Sequence, residues 1–302
     1  MSDEWRTRLA FSGMHPDRIR SLVDRFGTPR LVVCAIDKGA IEVSEHVVEA
    51  VAVSASDRRE QLSGMNARLV LRDDPSYPTQ LAMYPDAPDA LFVRGLFPEE
   101  PAIAVVGSRA CTSYGRRLAE DYGAAAAGAG IAVVSGLARG IDGAAHRGAV
   151  AACGAGVAVL GSGIDVMYPR EHRALALDLL AAGGAIATEY PPGTIPEPWR
   201  FPPRNRIIAG LAVAVIVVEA AVTGGALITA GKALEYGITV LAVPGDVGRK
   251  TSVGCNLLIR DGAHPVLDPE DLLETLGLLL AARGTRLRPV DAGPEGASSA
   301  AR

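Results

Sequence analysis

A chain of 302 residues with 49% hydrophobic and only 5% aromatic content is long enough to bury a substantial core and too apolar to remain unfolded. Its 34 glycines and abundant alanine point to helices packed closely on a sheet rather than to an aromatic-rich interior. The formal net charge of −4 excludes a broadly basic, DNA-coating surface.

The first residues, Met1-Ser2-Asp3-Glu4-Trp5-Arg6, are charged and lack the apolar segment of a signal peptide. Residues 1–70 read as a small helical module, in which Ser21–Phe26, Gly27 and Pro29–Ala35 give helix, turn, helix. The stretch from Asp73 through Pro88 is dense in turn formers and reads as a linker. From Pro101 onward the pattern changes. Apolar runs at Ile103–Val106, Ile131–Val134, Val157–Leu160, Ala185–Thr188, Val213–Val218 and Thr239–Val243 read as strands buried on both faces. Crossover helices are predicted over Tyr114–Ala127, Ile141–Ala151, Glu171–Ala182 and Ala226–Tyr236. Together they predict an α/β fold with a doubly wound, mostly parallel sheet over residues 71–267.

The longest apolar run, Ile207–Val218, is shorter than the roughly 20 residues a bilayer requires and ends at Glu219. No membrane association is expected, and the chain reads as cytoplasmic. Residues 268–288 form a last predicted helix, capped by Asp268 with Pro269 in its first turn. Residues 289–302 are Ala, Gly, Ser and Pro rich and read as a disordered tail. Cys34, Cys111, Cys153 and Cys255 form no C-x-x-C pair, so each is expected to be a small core residue rather than a disulfide partner or zinc ligand.

Doubly wound sheets bind ligands beyond the carboxyl ends of their strands, and the informative residues lie there. Between residues 101 and 266 the chain holds 14 Lys and Arg against 12 Asp and Glu, with arginines beside glycines and prolines at predicted strand ends. Gly107-Ser108-Arg109 follows the first strand of the alternating region; its glycine permits a tight turn with free N–H groups, and Arg109 adds a planar bidentate donor. The dinucleotide fingerprint G-x-G-x-x-G is absent there, and no Walker A loop occurs. Gly136 to Asp142 places two glycines, Gly136 and Gly140, around Arg139, with Asp142 expected to cap the helix carrying His146. Asp142 and His146 share a helical face, but no nucleophile or metal-ligand set accompanies them, so packing rather than catalysis is expected.

The most specific segment is Phe201-Pro202-Pro203-Arg204-Asn205-Arg206-Ile207-Ile208-Ala209-Gly210-Leu211. Its two arginines and one asparagine supply many donors for a phosphate, and Trp199, Arg200 and Phe201 add stacking surfaces. The alternative is an internal network in which Arg204 or Arg206 pairs with Glu189 or Glu219. One of the two arginines is expected to be structural and the other to touch ligand.

These segments, together with Glu189-Tyr190-Pro191, Val243-Pro244-Gly245, Asp74-Pro75-x-Tyr77-Pro78 and Leu91-Phe92-Val93-Arg94-Gly95, occur in the order found in the bacterial DNA-processing protein A (DprA, or Smf) family, which the chain resembles from about Leu69 to Val266. The resemblance implies an extended Rossmann-like fold that binds single-stranded DNA without catalysis or cofactor. It further implies loading of the recombinase RecA during natural transformation, and a homodimer. The site it implies comprises Gly107, Ser108, Arg109, Gly136, Arg139, Gly140, Arg200, Phe201, Arg204, Asn205, Arg206, Thr223, Gly224, Gly225 and Lys232. Residues 1–70 would match the family's small helical module of the SAM or helix-hairpin-helix kind. Three departures stand out. Gly224-Gly225-Ala226 replaces the family's Ser-Gly-Ser or Ser-Gly-Ala, with Thr223 as a substitute hydroxyl; Ala212 replaces Ser or Cys; and no winged-helix domain is expected after Val266. The alternative class is a nucleotide-binding protein or phosphoribohydrolase-type enzyme of related fold. Its motif would fall at Thr223–Gly231, where the required Gly-Thr and acid are missing.

Overall fold

Local capping sets the helices of the N-terminal region. In the computed structural model, which describes residues 2–284, these are α1 (Ser2–Ala10), α2 (Pro16–Phe26), α3 (Pro29–Asp37), α4 (Glu45–Ala52) and α5 (Ala55–Ser63). Proline opens α2 and α3, where its missing N–H costs nothing, and the Thr28 hydroxyl accepts from Leu31 N at 3.2 Å. Leu9, Val32, Val33, Ile36 and Val51 meet in a separate small core.

The chain then enters the sheet through β1 (Arg68–Leu71), a short helix α6 (Thr79–Ala82) and β2 (Ala90–Gly95). The turn-rich stretch 73–88 is no free linker. It connects two paired strands, with Tyr77, Leu81 and Ala87 buried in the main core. The alternating region follows as β3 (Ala102–Val106), α7 (Ser113–Gly128), β4 (Ala132–Ser135), α8 (Ile141–Ala151), β5 (Gly156–Val159), α9 (Arg173–Ala181), β6 (Ala185–Thr188), α10 (Phe201–Gly210), β7 (Ala214–Val217), α11 (Gly225–Glu235), β8 (Thr239–Ala242), α12 (Val253–Arg260), β9 (His264–Pro265) and α13 (Pro269–Ala282). The predicted helix Glu171–Ala182 divides into a 3-10 turn at Arg170–His172 and α9. Asp268 caps α13 through Asp271 N; the expected tail 289–302 lies outside the described residues.

The nine strands run in the order β1-β2-β6-β5-β4-β3-β7-β8-β9. All pair in parallel except β2, which is antiparallel to both β1 and β6. The sheet is therefore mostly parallel and doubly wound. Every residue of β3 to β7 is buried, which is why these strands read as unbroken apolar runs. The chain moves outward from β3 through β4, β5 and β6, then crosses back to β7 on the other side of β3. That reversal opens a crevice past the ends of β3 and β7. Of the cysteines, Cys255 is buried in the main core as expected, whereas Cys34 and Cys111 are half-buried and Cys153 is exposed where the chain leaves α8 at φ +55°. Among the described residues no helix is long and apolar enough to cross a membrane.

Candidate nucleic-acid interface

The crevice at the switch point is a cleft of about 440 Å³. Gly107, Ser108 and Arg109 line it after β3, Gly224 and Gly225 line it at the start of α11, and Phe201, Arg204 and Asn205 line it from α10. Two glycines make this possible. Gly140 holds φ +76°, and a side chain there would strike the Ser108 carbonyl. A Cβ on Gly136 would occupy the space of the Arg204 guanidinium.

Arg204 is buried beneath the cleft. Its Nη1 donates to the carbonyls of Gly136, at 2.9 Å, and Val159, and its Nε donates to Asn205 Oδ1 at 3.1 Å. Burial lowers the Arg204 pKa to about 10, against the pull of Asp142, so the group stays cationic at neutral pH. Burial likewise pushes the Asp142 carboxyl above its ordinary range, opposed by the Arg204 charge. Asp142 does not cap α8, whose N-cap is Gly140. Its Oδ2 instead accepts from Gly136 N at 3.1 Å, tying down the loop that receives Arg204.

Arg109 behaves differently. It is exposed, lies 4.7 Å over the Phe201 ring, and forms no hydrogen bond or ion pair among the described residues. Its guanidinium donors are open to a ligand. Phe201 also has the Tyr168 ring at 5.8 Å and the Arg204 guanidinium at 5.7 Å. Asn205 Nδ2 donates to Gly225 O at 3.2 Å, fastening α10 to the first residue of α11. No side chain caps α11, whose first residues Gly225 and Ala226 line the cleft.

Several expected site residues lie elsewhere. Arg206 is buried against Glu189, with Nη2 2.6 Å from each carboxylate oxygen, which is the internal pairing weighed above. Glu219 pairs with neither arginine; it accepts from Thr112 N at 2.9 Å and from the Thr112 hydroxyl. Arg139 bonds Glu171 on the surface, and Lys232 bonds Glu235 at 2.6 Å and Asp86 at 3.4 Å. Arg200 donates to Ile195 O and covers Trp199. Gly136 and Gly140 shape the cleft without lining it. Thr223 is exposed outside the lining, so it does not restore the hydroxyl missing at Gly224-Gly225; the cleft's threonine is the buried Thr229.

Sequence reasoning missed a second cavity of about 590 Å³, lined by Arg94, Arg170, Arg173 and Asp165 among apolar residues. None of these arginine side chains forms an ion pair or hydrogen bond among the described residues, and Arg94 Nε is buried without a partner. Tyr168, two residues before Arg170 in sequence, meets the Phe201 ring but does not line this cavity. Arg94 lies in the family segment 91–95, far from Arg170 and Arg173 in sequence, so only the fold brings the three together.

Residues 68–277 match the sequence profile of DNA recombination-mediator protein A. The chain belongs to this family. Within the DprA family it is 46% identical to protein Smf of Escherichia coli K12 over 213 residues, covering 70% of this chain and 57% of that protein. It is 42% identical to the DNA processing protein DprA of Streptococcus pneumoniae R6 over 202 residues, or 66% of this chain and 71% of that one. A DprA protein of Mycobacterium tuberculosis is 47% identical but only 48% covered, so the chain spans about half the length of the first relatives. The solved DprA structure from S. pneumoniae superposes with a TM-score of 0.72 at 33% identity, over 88% of this chain and 95% of that one. The DprA of Helicobacter pylori, described for its single-stranded DNA binding mode, shares the fold at a TM-score of 0.61 and 22% identity, over 70% of this chain and 95% of that one.

Proposed function

We propose that this DprA-family chain binds single-stranded DNA in the switch-point cleft and hands it to the RecA recombinase, acting as a cytoplasmic homodimer in transformation and recombination. Arg109 carries the reading: it is a charged fork with no hydrogen-bonding or ion-pair partner among the described residues, held by an aromatic ring at the mouth of a cleft. A backbone phosphate satisfies its donors, and Phe201 offers the stacking surface a base would use. In this reading a second phosphate contact falls to Arg94, Arg170 and Arg173, which line a separate cavity together with Asp165. None of these groups reads a base edge, so binding is indifferent to sequence.

The chain acts by binding rather than by catalysis. His146, the one histidine near the cleft floor with a carboxylate four residues away, is wholly buried and outside the cleft lining. Burial holds its pKa down at about 3, so it stays neutral. The phosphoribohydrolase alternative needs a carboxylate early in α11, and the first acid there is Glu235 at its end.

The test is fluorescence anisotropy of a labelled oligo-dT of about 30 nucleotides, longer than the site of one such fold, against duplex of equal length at two salt concentrations. The expected result is preference for the single strand, with a log–log salt slope of about −0.7 per phosphate contacted. Equal or absent binding to both would overturn the reading.

A further inference from the structure

Trp199 is the large aromatic that the cleft leaves unused. It sits in the 3-10 turn Pro198–Arg200, between Pro198 and Phe201, both of which line the cleft, and 48% of its surface is exposed. The indole is nevertheless held firmly. The Arg200 guanidinium lies 4.5 Å over the ring, the Tyr190 ring meets it edge-on at 6.5 Å, and its Nε1 donates to Glu197. Arg200 is fixed in turn by the Ile195 carbonyl, and its own backbone carbonyl accepts from the Tyr190 hydroxyl at 3.3 Å. From the N-terminal helices, the His15 ring comes within 5.7 Å at a tilt of 31°.

A rigid, half-exposed indole beside a cationic cleft loses little freedom when a flat partner stacks on it. We propose that Trp199 is a base-stacking ledge outside the cleft, buttressed by His15, so that the N-terminal helices help to hold the strand. The inference rests on the single-stranded DNA reading and adds to it both a contact and a role for a region outside the family match at 68–277. The occupant is a nucleobase rather than a protein side chain. The ledge lies two residues before Phe201, whose ring carries Arg109, and is framed by polar groups, Arg200, Glu197 and His15, rather than by an apolar patch.

The chain's two tryptophans are Trp5 and Trp199, so Trp5→Phe leaves the ledge as the sole reporter. Saturating this variant with oligo-dT is expected to quench the emission. By anisotropy, Trp199→Ala is expected to weaken binding about 5- to 150-fold, the loss of one base–aromatic stack. Trp199→Phe should retain most of the affinity, and His15→Ala should cost less than Trp199→Ala. The salt slope separates stacking from charge: Trp199→Ala should leave it unchanged, whereas Arg109→Ala should reduce it by about 0.7. Unchanged affinity in Trp199→Ala with unquenched emission, while Arg109→Ala still loses binding, would overturn the ledge and leave the cleft standing. If the unsubstituted chain binds no oligo-dT, both ideas fall.

Discussion

Arg204 and Arg206 stand two residues apart on α10 and are both buried, yet they serve different regions of the molecule. Two residues of an α-helix turn the side chain through about 200°, so the pair points to opposite sides. Arg204 reaches the carbonyls of Gly136 and Val159 under the cleft, while Arg206 closes on Glu189 away from it. Neither offers a free fork to a ligand. The cation that does is Arg109, exposed on the loop after β3. The buried arginines set the shape of the site, and the exposed one is left to bind. Charge near a motif is therefore a poor guide to contact until each charge has been matched with its partner.

The largest effect expected from this division is on folding. Arg206→Ala leaves Glu189 buried without its ion pair and is expected to cost about 3–5 kcal/mol of stability in a denaturant melt. The folded fraction should still bind single strands normally; lost affinity there would move Arg206 into the site. Arg204→Ala should cost about 2–4 kcal/mol, because two carbonyls lose a charged donor. Here affinity should fall as well, since the cleft floor loses its support. Equal binding by the two variants would erase the distinction between the faces.

Behind that floor, His146 provides a pH test. Its folded pKa of about 3 lies below the ordinary value of 6.5, so the unfolded chain takes up the proton first as pH falls. Stability is full above 6.5 and declines below it by up to about 1.4 kcal/mol per pH unit. His146 alone should thus contribute a difference of about 2 kcal/mol between melts at pH 6.5 and 5, and His146→Gln should change the slope by that amount. An unchanged slope would contradict the assignment. The smallest effect is expected at Thr223→Ala, within about 0.5 kcal/mol for both stability and affinity, because this exposed residue lies outside the cleft lining. A larger loss of affinity would return its hydroxyl to the site.

The strands were legible because residues buried on both faces of a sheet cannot hide their apolar character; Val213–Val218 and Ala185–Thr188 are examples. The Gly107-Ser108-Arg109 turn was legible because ligands gather at strand ends. Which of Arg204 and Arg206 faces the cleft was not, since that depends on how α10 is rotated over the sheet. Asp142 misled for a related reason: spacing alone does not distinguish a helix cap from a carboxylate that ties the preceding loop at Gly136. Lys232 and Arg139 drew attention as cations, but Asp86, Glu235 and Glu171 occupy them, and those partners lie partly on other elements. Arg94 stood in a family segment, but nothing in the sequence joined it to Arg170 and Arg173, because 79 residues separate the cluster's outer members.

The most direct test compares Arg109→Ala with the unsubstituted chain, measuring oligo-dT affinity and thermal stability on the same preparations. The predicted result is unchanged stability, within about 0.5 kcal/mol, with affinity lower by about 1.5–3 kcal/mol, the contribution of a charged hydrogen-bonding group. Full affinity in Arg109→Ala would contradict the account, because the cleft arginine left unpaired among the described residues would then have no strand to hold.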